Sequence, residues 1–156
     1  RMLMFGLSNE LCAMHGFGWC RRLMLVHSML STPDLPEENK AFAQAFGAKY
    51  GYSQETAAAA PGRVVEVLST LNTQLERQLA KGSKYFIGNA LSALDIYWAA
   101  FSHLIDPLPP DLCPMDEGFR PMYKNHDPAV AAAAAPRLMQ HREFIYTEYL
   151  VLPIDL

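Results

Sequence analysis

Apolar residues recur along this chain at three- and four-residue intervals, the period of one helix face. Leu3, Leu7, Leu11 and Met14 form the first stripe, which predicts a helix to about His15 with Gly16 as its stop. Gly16-Phe17-Gly18-Trp19 then sets two flexible residues around two aromatics, and Leu23, Val26, His27 and Leu30 resume a stripe as far as Pro33. The pair reads as a bent or broken helix. From Pro36, with Glu37 and Glu38 in a favourable first turn, a shorter helix carries Ala41, Phe42, Ala45 and Phe46 toward Gly47 or Gly51. Ala57 to Ala60 are strong helix formers, and after Pro61 and Gly62 the stripe Val64, Val67, Leu68, Leu71, Leu75, Leu79 predicts the longest helix, ended by Lys81 and Gly82.

Tyr85-Phe86-Ile87 has strand propensity, but no other run of period two exists to pair with it, so it reads as a packed connector. Ser92, three residues ahead of Asp95 and just before an apolar run, is the spacing of a capping box. Leu91 and Ile96 stand where a hydrophobic staple closes over such a cap, and the Asp95 carboxylate suits the positive end of a helix dipole. The helix that follows, with Leu94, Ile96, Tyr97, Trp98, Phe101, Leu104 and Ile105, is apolar almost all round. It is expected to be buried, central to the fold, and to end at Asp106 before Pro107. Prolines at 107, 109, 110, 114, 121 and 128 predict an irregular excursion. Ala129 to Ala135 can form helix, and Pro136 precedes a last stripe of Leu138, His141, Ile145 and Tyr149 before Pro153. The fold class is all-α, a helical bundle of about six or seven helices in a single domain over residues 1–156.

A net charge of −3 with 19% charged residues gives no basic field for nucleic acid or an anionic membrane. Hydrophobic residues make up 51% of the chain, yet no apolar stretch is long enough for a bilayer and no signal peptide opens it; the expectation is a cytoplasmic protein. Cys12, Cys20 and Cys113 are odd in number and lack metal spacing, so neither a disulfide framework nor a metal site is expected. The chain opens on Arg1, with helical periodicity beginning at once and no cap residue before it. Two readings stand: a piece of a longer chain, or a true start at Met2.

The long helix, the YFIG connector at 85–88 and ALSALDIYWAAF at 90–101 resemble the C-terminal, all-helical domain of the glutathione S-transferase family. Ser92 and Asp95 match that family's capping box, Tyr97 and Trp98 its aromatic-rich buried helix, and PRLMQHREFIYTEYLVLP at 136–153 its last helix. The resemblance covers most of the chain. It implies glutathione as co-substrate, bound mainly by a thioredoxin-like N-terminal domain whose alternating strands and helices do not occur here. It implies a small apolar electrophile as the second substrate, a homodimer, and a pocket walled on one side by this domain. Alternatively, the same fold serves as a non-catalytic interaction or assembly domain.

No catalytic residue carries over. Asp95 has no second acid or nucleophile fixed beside it by sequence, so it reads with Ser92 as a structural N-cap. In the resembled architecture the first helix pair faces the pocket between domains, which makes Met14, Phe17, Trp19 and Arg22 the candidates for binding the electrophile or a carboxylate of glutathione. The competing reading is a helix corner pinned by two rings, with Arg21 and Arg22 in solvent. Met2, Met4, Met14, Met24 and Met29 crowd the first two helices and suit either a core or an adaptable apolar surface. His15, His103 and His141 are scattered, with no acid or nucleophile placed near them by spacing, and read as packing or surface residues.

Overall fold

The computed structural model describes residues 1–116 and 118–154. Among these the chain is helical throughout, with no strand: α1 (Met2–Cys12), α2 (Phe17–Leu30), α3 (Glu37–Lys49), α4 (Gln54–Leu79), α5 (Ala93–Phe101), α6 (Arg120–Tyr123), α7 (Pro128–Ala133) and α8 (Pro136–Tyr149). A 3-10 turn over Ser102–Leu104 continues α5. The all-α bundle is therefore as expected, with one short helix more than the stripes show.

The corner between α1 and α2 is tighter than the periodicity suggests. α1 stops at Cys12 rather than near His15, because Ala13 turns extended and His15 takes φ +63°. A Cβ on Gly16 would lie 2.5 Å from the Glu10 carbonyl oxygen, so only glycine lets the chain double back there. Arg63 of α4 clamps the corner from outside, donating to the His15 carbonyl at 3.2 Å and pairing with Glu10. Gly18 does a second job. A Cβ there would sit 2.1 Å from the Phe101 ring, so its absence is what lets α2 cross α5 so closely.

α4 begins at Gln54, not after Pro61. Ser53 and Thr56 cap it, with the Ser53 N–H donating to Thr56 Oγ1 at 2.8 Å. Pro61 lies inside the helix, where it lacks the N–H that Ala57 would have received. Buried Ala57 and Ala60 hold the first two turns in place despite that loss. The stripe Val64, Val67, Leu68, Leu71 and Leu75 then forms the floor of the main core, against Leu7, Leu11, Phe17, Leu23, Leu94 and Trp98. At roughly 1.5–3 kcal/mol for each large apolar side chain removed from water, this floor dominates the favourable side of folding.

The YFIG connector is packed, as expected, and α4 holds it. Gln74 donates to the Phe86 carbonyl at 2.7 Å, and Gln78 to the carbonyls of Tyr85 and Gly88 at 3.0 and 2.8 Å. Phe86 is fully buried.

α5 corrects two expectations. It is not buried all round: Leu94, Asp95, Trp98 and Ala99 face the core, while Ile96 and Tyr97 are 36% and 41% exposed. Ala93, Ile96, Tyr97 and Ala100 lie on the other side, one helix face at ordinary spacing. Leu91 packs toward a second core cluster, so it and Ile96 do not share the buried side. The α-helix also ends at Phe101, five residues short of Asp106, where the Ser102 hydroxyl donates to the Ala99 carbonyl at 2.6 Å and the backbone tightens to 3-10.

Trp98 links α5 to α8 by donating its indole N–H to the Leu138 carbonyl at 2.9 Å. Below it the second core cluster joins Ala99, Leu108, Cys113, Ile145 and Tyr146. The start of the proline-rich excursion is thus packed down. Arg120 returns to it, donating to the carbonyls of Leu108 and Cys113 at 2.7 and 2.5 Å.

Candidate functional site

Asp95 lies at the junction of three segments. It forms with Ser92 the capping box that opens α5, receiving the Ser92 N–H and hydroxyl on Oδ2 at 2.8 and 2.5 Å. Its Oδ1 accepts from the Phe86 backbone N–H at 2.9 Å and from His141 Nε2 of α8 at 2.9 Å. Asp95 is completely buried and His141 nearly so. Burial by itself opposes ionisation, but the bonds from His141, Ser92 and Phe86 outweigh it and hold the carboxyl below its ordinary range. An ionised carboxylate only accepts, so the proton of this contact belongs to His141 Nε2. His141 Nδ1 has no partner among the described residues, and no hydroxyl or thiol stands there for it to activate. The arrangement locks the connector, α5 and α8 together.

A second polar chain runs through the smaller core. Tyr146 donates its hydroxyl to the Ala99 carbonyl at 3.1 Å, so the 2.9 Å contact between Tyr146 Oη and His103 Nε2 takes its proton from the imidazole. His103 Nδ1 is then the acceptor for the Cys113 thiol at 3.6 Å. Burial, with Arg142 and Arg120 nearby, lowers His103 to about 4. Burial likewise raises Tyr146 to about 12 and lifts the Cys113 thiol above its ordinary value. All three groups are neutral at pH 7, and the thiol is not an activated nucleophile. His103 and His141 are packing residues, as expected, and the structure adds what spacing did not place: Asp95 beside His141, and Tyr146 and Cys113 beside His103. Tyr146 and Asp95 lie 43 and 46 residues from them in the chain, beyond what local spacing can show. The α8 stripe that includes His141 did carry one signal, its core-facing side.

Of the residues proposed to bind substrate, Arg22 borders a cavity among the described residues, and the other three are placed differently. Phe17 is fully buried and meets Trp98 edge to face at 6.1 Å, which makes it a core ring. Trp19 is half-buried against Tyr50 at 4.9 Å, and Met14 is 64% exposed at the α1–α2 corner. The two rings do pin the corner. The arginines, however, are not in solvent. Arg21 is buried and donates to the Leu104 carbonyl at 2.6 Å and to Asn125 Oδ1 at 3.3 Å, and burial lowers its pKa to about 10. Arg22 turns its guanidinium back to the Gly18 carbonyl at 2.8 Å, over the rings of Tyr50 and Phe101.

Arg22 lines a small cavity of about 80 Å³, with Leu25, Phe42, Phe119 and Met122 among its walls. The last four also border a wider cleft of about 500 Å³ between α2, α3 and residues 116 and 118–122, together with Met29 and Leu35. That volume lies within the range of small-molecule sites. Phe42 is 48% exposed, stacked on Phe46 at 5.7 Å and set edge to face with Phe119 at 6.3 Å. Neither Phe42 nor Phe119 stood out in the sequence as a binding residue. Phe42 belonged to a narrow helix stripe, and Phe119 comes beside it only because the proline-rich segment folds back over α2 and α3.

Among the described residues no group of three or more His, Cys, Asp or Glu is set to hold a metal ion, and no helix is long and apolar enough to cross a membrane. No known family model, curated protein or solved structure matches this chain.

Proposed function

We propose that this chain is the helical, co-substrate half of a glutathione-dependent transferase. In the intact protein a thioredoxin-like domain holds glutathione and activates its thiol, and this domain offers it a small apolar electrophile. The observation that carries the reading is the Asp95 cluster. The segments on which the resemblance rests, YFIG, the capping box and the last helix, meet at one buried carboxylate through Phe86, Ser92 and His141. The cleft beside Phe42 and Phe119 adds an apolar site of suitable size.

A second reading, an interaction or assembly domain without chemistry, is favoured by the outer face of α1. There Met2, Leu3 and Phe5 are 89%, 52% and 55% exposed, an apolar surface that suits a cover. In the transferase reading the thioredoxin-like domain or a second copy of the chain supplies that cover.

Purifying the protein from its own source and measuring its mass against 17.5 kDa, together with its rate of glutathione conjugation to apolar electrophiles, tests the two. A mass larger by about one small domain, with conjugation, supports the transferase. A mass equal to this chain and no glutathione turnover overturns it in favour of the interaction domain.

A further inference from the structure

We propose that the cleft between α2, α3 and residues 116 and 118–122 takes a small organic cation, an amine carried on an aromatic or alkyl body. The inference goes beyond the co-substrate reading, since an ammonium is not the electrophile, and rests on it only in taking this cleft as a place where a small molecule sits.

Two properties of the lining point the same way. The lining is largely apolar and includes the rings of Phe42 and Phe119, and a cation over the face of either ring gains about 0.5–1 kcal/mol at an exposed site. The charged side chains on the rim are Glu38 and Asp116, both exposed, and no lysine or arginine among the described residues borders the cleft. Lys40 of α3 pairs with Glu37 at 3.5 Å, and no ion pair to Glu38 occurs among the described residues. Asp116 also accepts the Gly118 N–H at 2.7 Å, which fixes one oxygen and leaves its charge at the mouth. Arg22, in the inner cavity, directs its charge away to Gly18.

The neighbouring depression reverses the sign. It shares Leu25, Ser28 and Met122 with the cleft but carries Arg21 and Lys124 against a single acid, Asp127. A ligand with a positive head is therefore oriented, head toward Glu38 and body against Phe42 and Met122. A carboxylate-bearing ligand finds no counter-charge at the α3 end.

Three probes with one body separate the terms: 4-phenylbutylamine, 4-phenylbutanol and 4-phenylbutyrate, titrated into this chain and followed by calorimetry and by NMR shifts. The amine is expected to bind about tenfold more tightly than the alcohol, with the carboxylate weakest. Glu38→Gln should reduce amine affinity about threefold and leave the alcohol unchanged, and raising salt from about 20 to about 500 mM should shrink the amine preference. Phe42→Ala should weaken all three. Equal affinities, a Glu38→Gln variant indistinguishable from the parent, or shifts mapping away from α2 and α3 would overturn the proposal. Conjugation activity of the intact protein is judged separately: a transferase whose cleft ignores charge refutes this inference alone, while amine binding without any glutathione turnover refutes the transferase alone.

Discussion

Asp95 at the start of α5 and His141 in the middle of α8 meet 2.9 Å apart in the core, joined by the carboxylate that also caps α5 and holds the Phe86 backbone. One side chain thus receives donors from three segments. Removing it leaves all of them unpaired at once, in a domain whose total stability is of the order of 5–15 kcal/mol.

Asp95→Ala should therefore destabilise the fold by about 3–5 kcal/mol in urea unfolding, because several buried donors lose their partner at about 1–3 kcal/mol each. Ser92→Ala, which leaves the carboxylate and its other donors, should cost only about 1 kcal/mol and leave ligand affinity unchanged. A double-mutant cycle with His141→Ala should give a coupling of about 0.5–3 kcal/mol between Asp95 and His141. Equal losses for Ser92→Ala and Asp95→Ala would mean that the carboxylate acts as a helix cap and nothing more.

His103 gives stability a pH dependence of defined sign. Its folded pKa is about 4 against 6.5 as an ordinary imidazole, because it is buried beside Arg142 and Arg120. Between those values the unfolded chain takes up a proton that the folded chain does not, so stability falls as pH falls from about 6.5 to about 4, by about 3 kcal/mol in all. Asp95 acts lower down: its depressed carboxyl contributes stability above the ordinary carboxylate pKa, and that contribution is lost as pH falls through the folded value. Unfolding free energies measured at several pH values on the parent and on His103→Gln should show the mid-range slope disappear in the variant. An unchanged slope would assign it to another group.

Gly18→Ala sets two magnitudes against each other. Alanine is the better helix former by about 1 kcal/mol. Its Cβ, however, would stand 2.1 Å from the Phe101 ring at the crossing of α2 and α5, and overpacking of that kind costs about 1–3 kcal/mol. A lower Tm is expected, and Phe101→Leu in the same chain should recover part of it. A higher Tm for Gly18→Ala would show that the crossing relaxes freely.

Thiol labelling reads the packing without a mutation. Cys12 is exposed, whereas Cys20 and Cys113 are buried and burial raises both of their thiols. A disulfide reagent at pH 8 should label one cysteine quickly and the other two only on unfolding, and Cys12→Ser should abolish the fast phase. Two fast thiols would place a second cysteine at the surface.

The candidate site was partly legible for physical reasons that differ from residue to residue. Arg22 and its neighbours stood out as aromatics and cations in a glycine-rich corner, a local pattern. Whether a ring in such a corner faces a ligand or the core depends on which helix crosses it, and α5 crosses at Gly18, which sends Phe17 inward to Trp98. Arg21 and Arg22 are adjacent and chemically alike, yet one is buried under Leu104 and Asn125 and the other turns back along its helix. Nothing local distinguishes them.

What the sequence by itself determined is local: the helix stripes, the α5 cap at Ser92 and Asp95, the packing of the YFIG connector and the all-α class. Each of these follows from interactions within about four residues or from the average apolarity of a face. Only the tertiary structure decided that Pro61 lies within a helix, because buried alanines outweigh a lost hydrogen bond, and that α5 keeps an exposed face, because neighbours cover one side of it. It alone joined Asp95 to His141 and folded the proline-rich segment over Phe42, since those contacts form between residues far apart in the chain, where packing and not periodicity selects the partner.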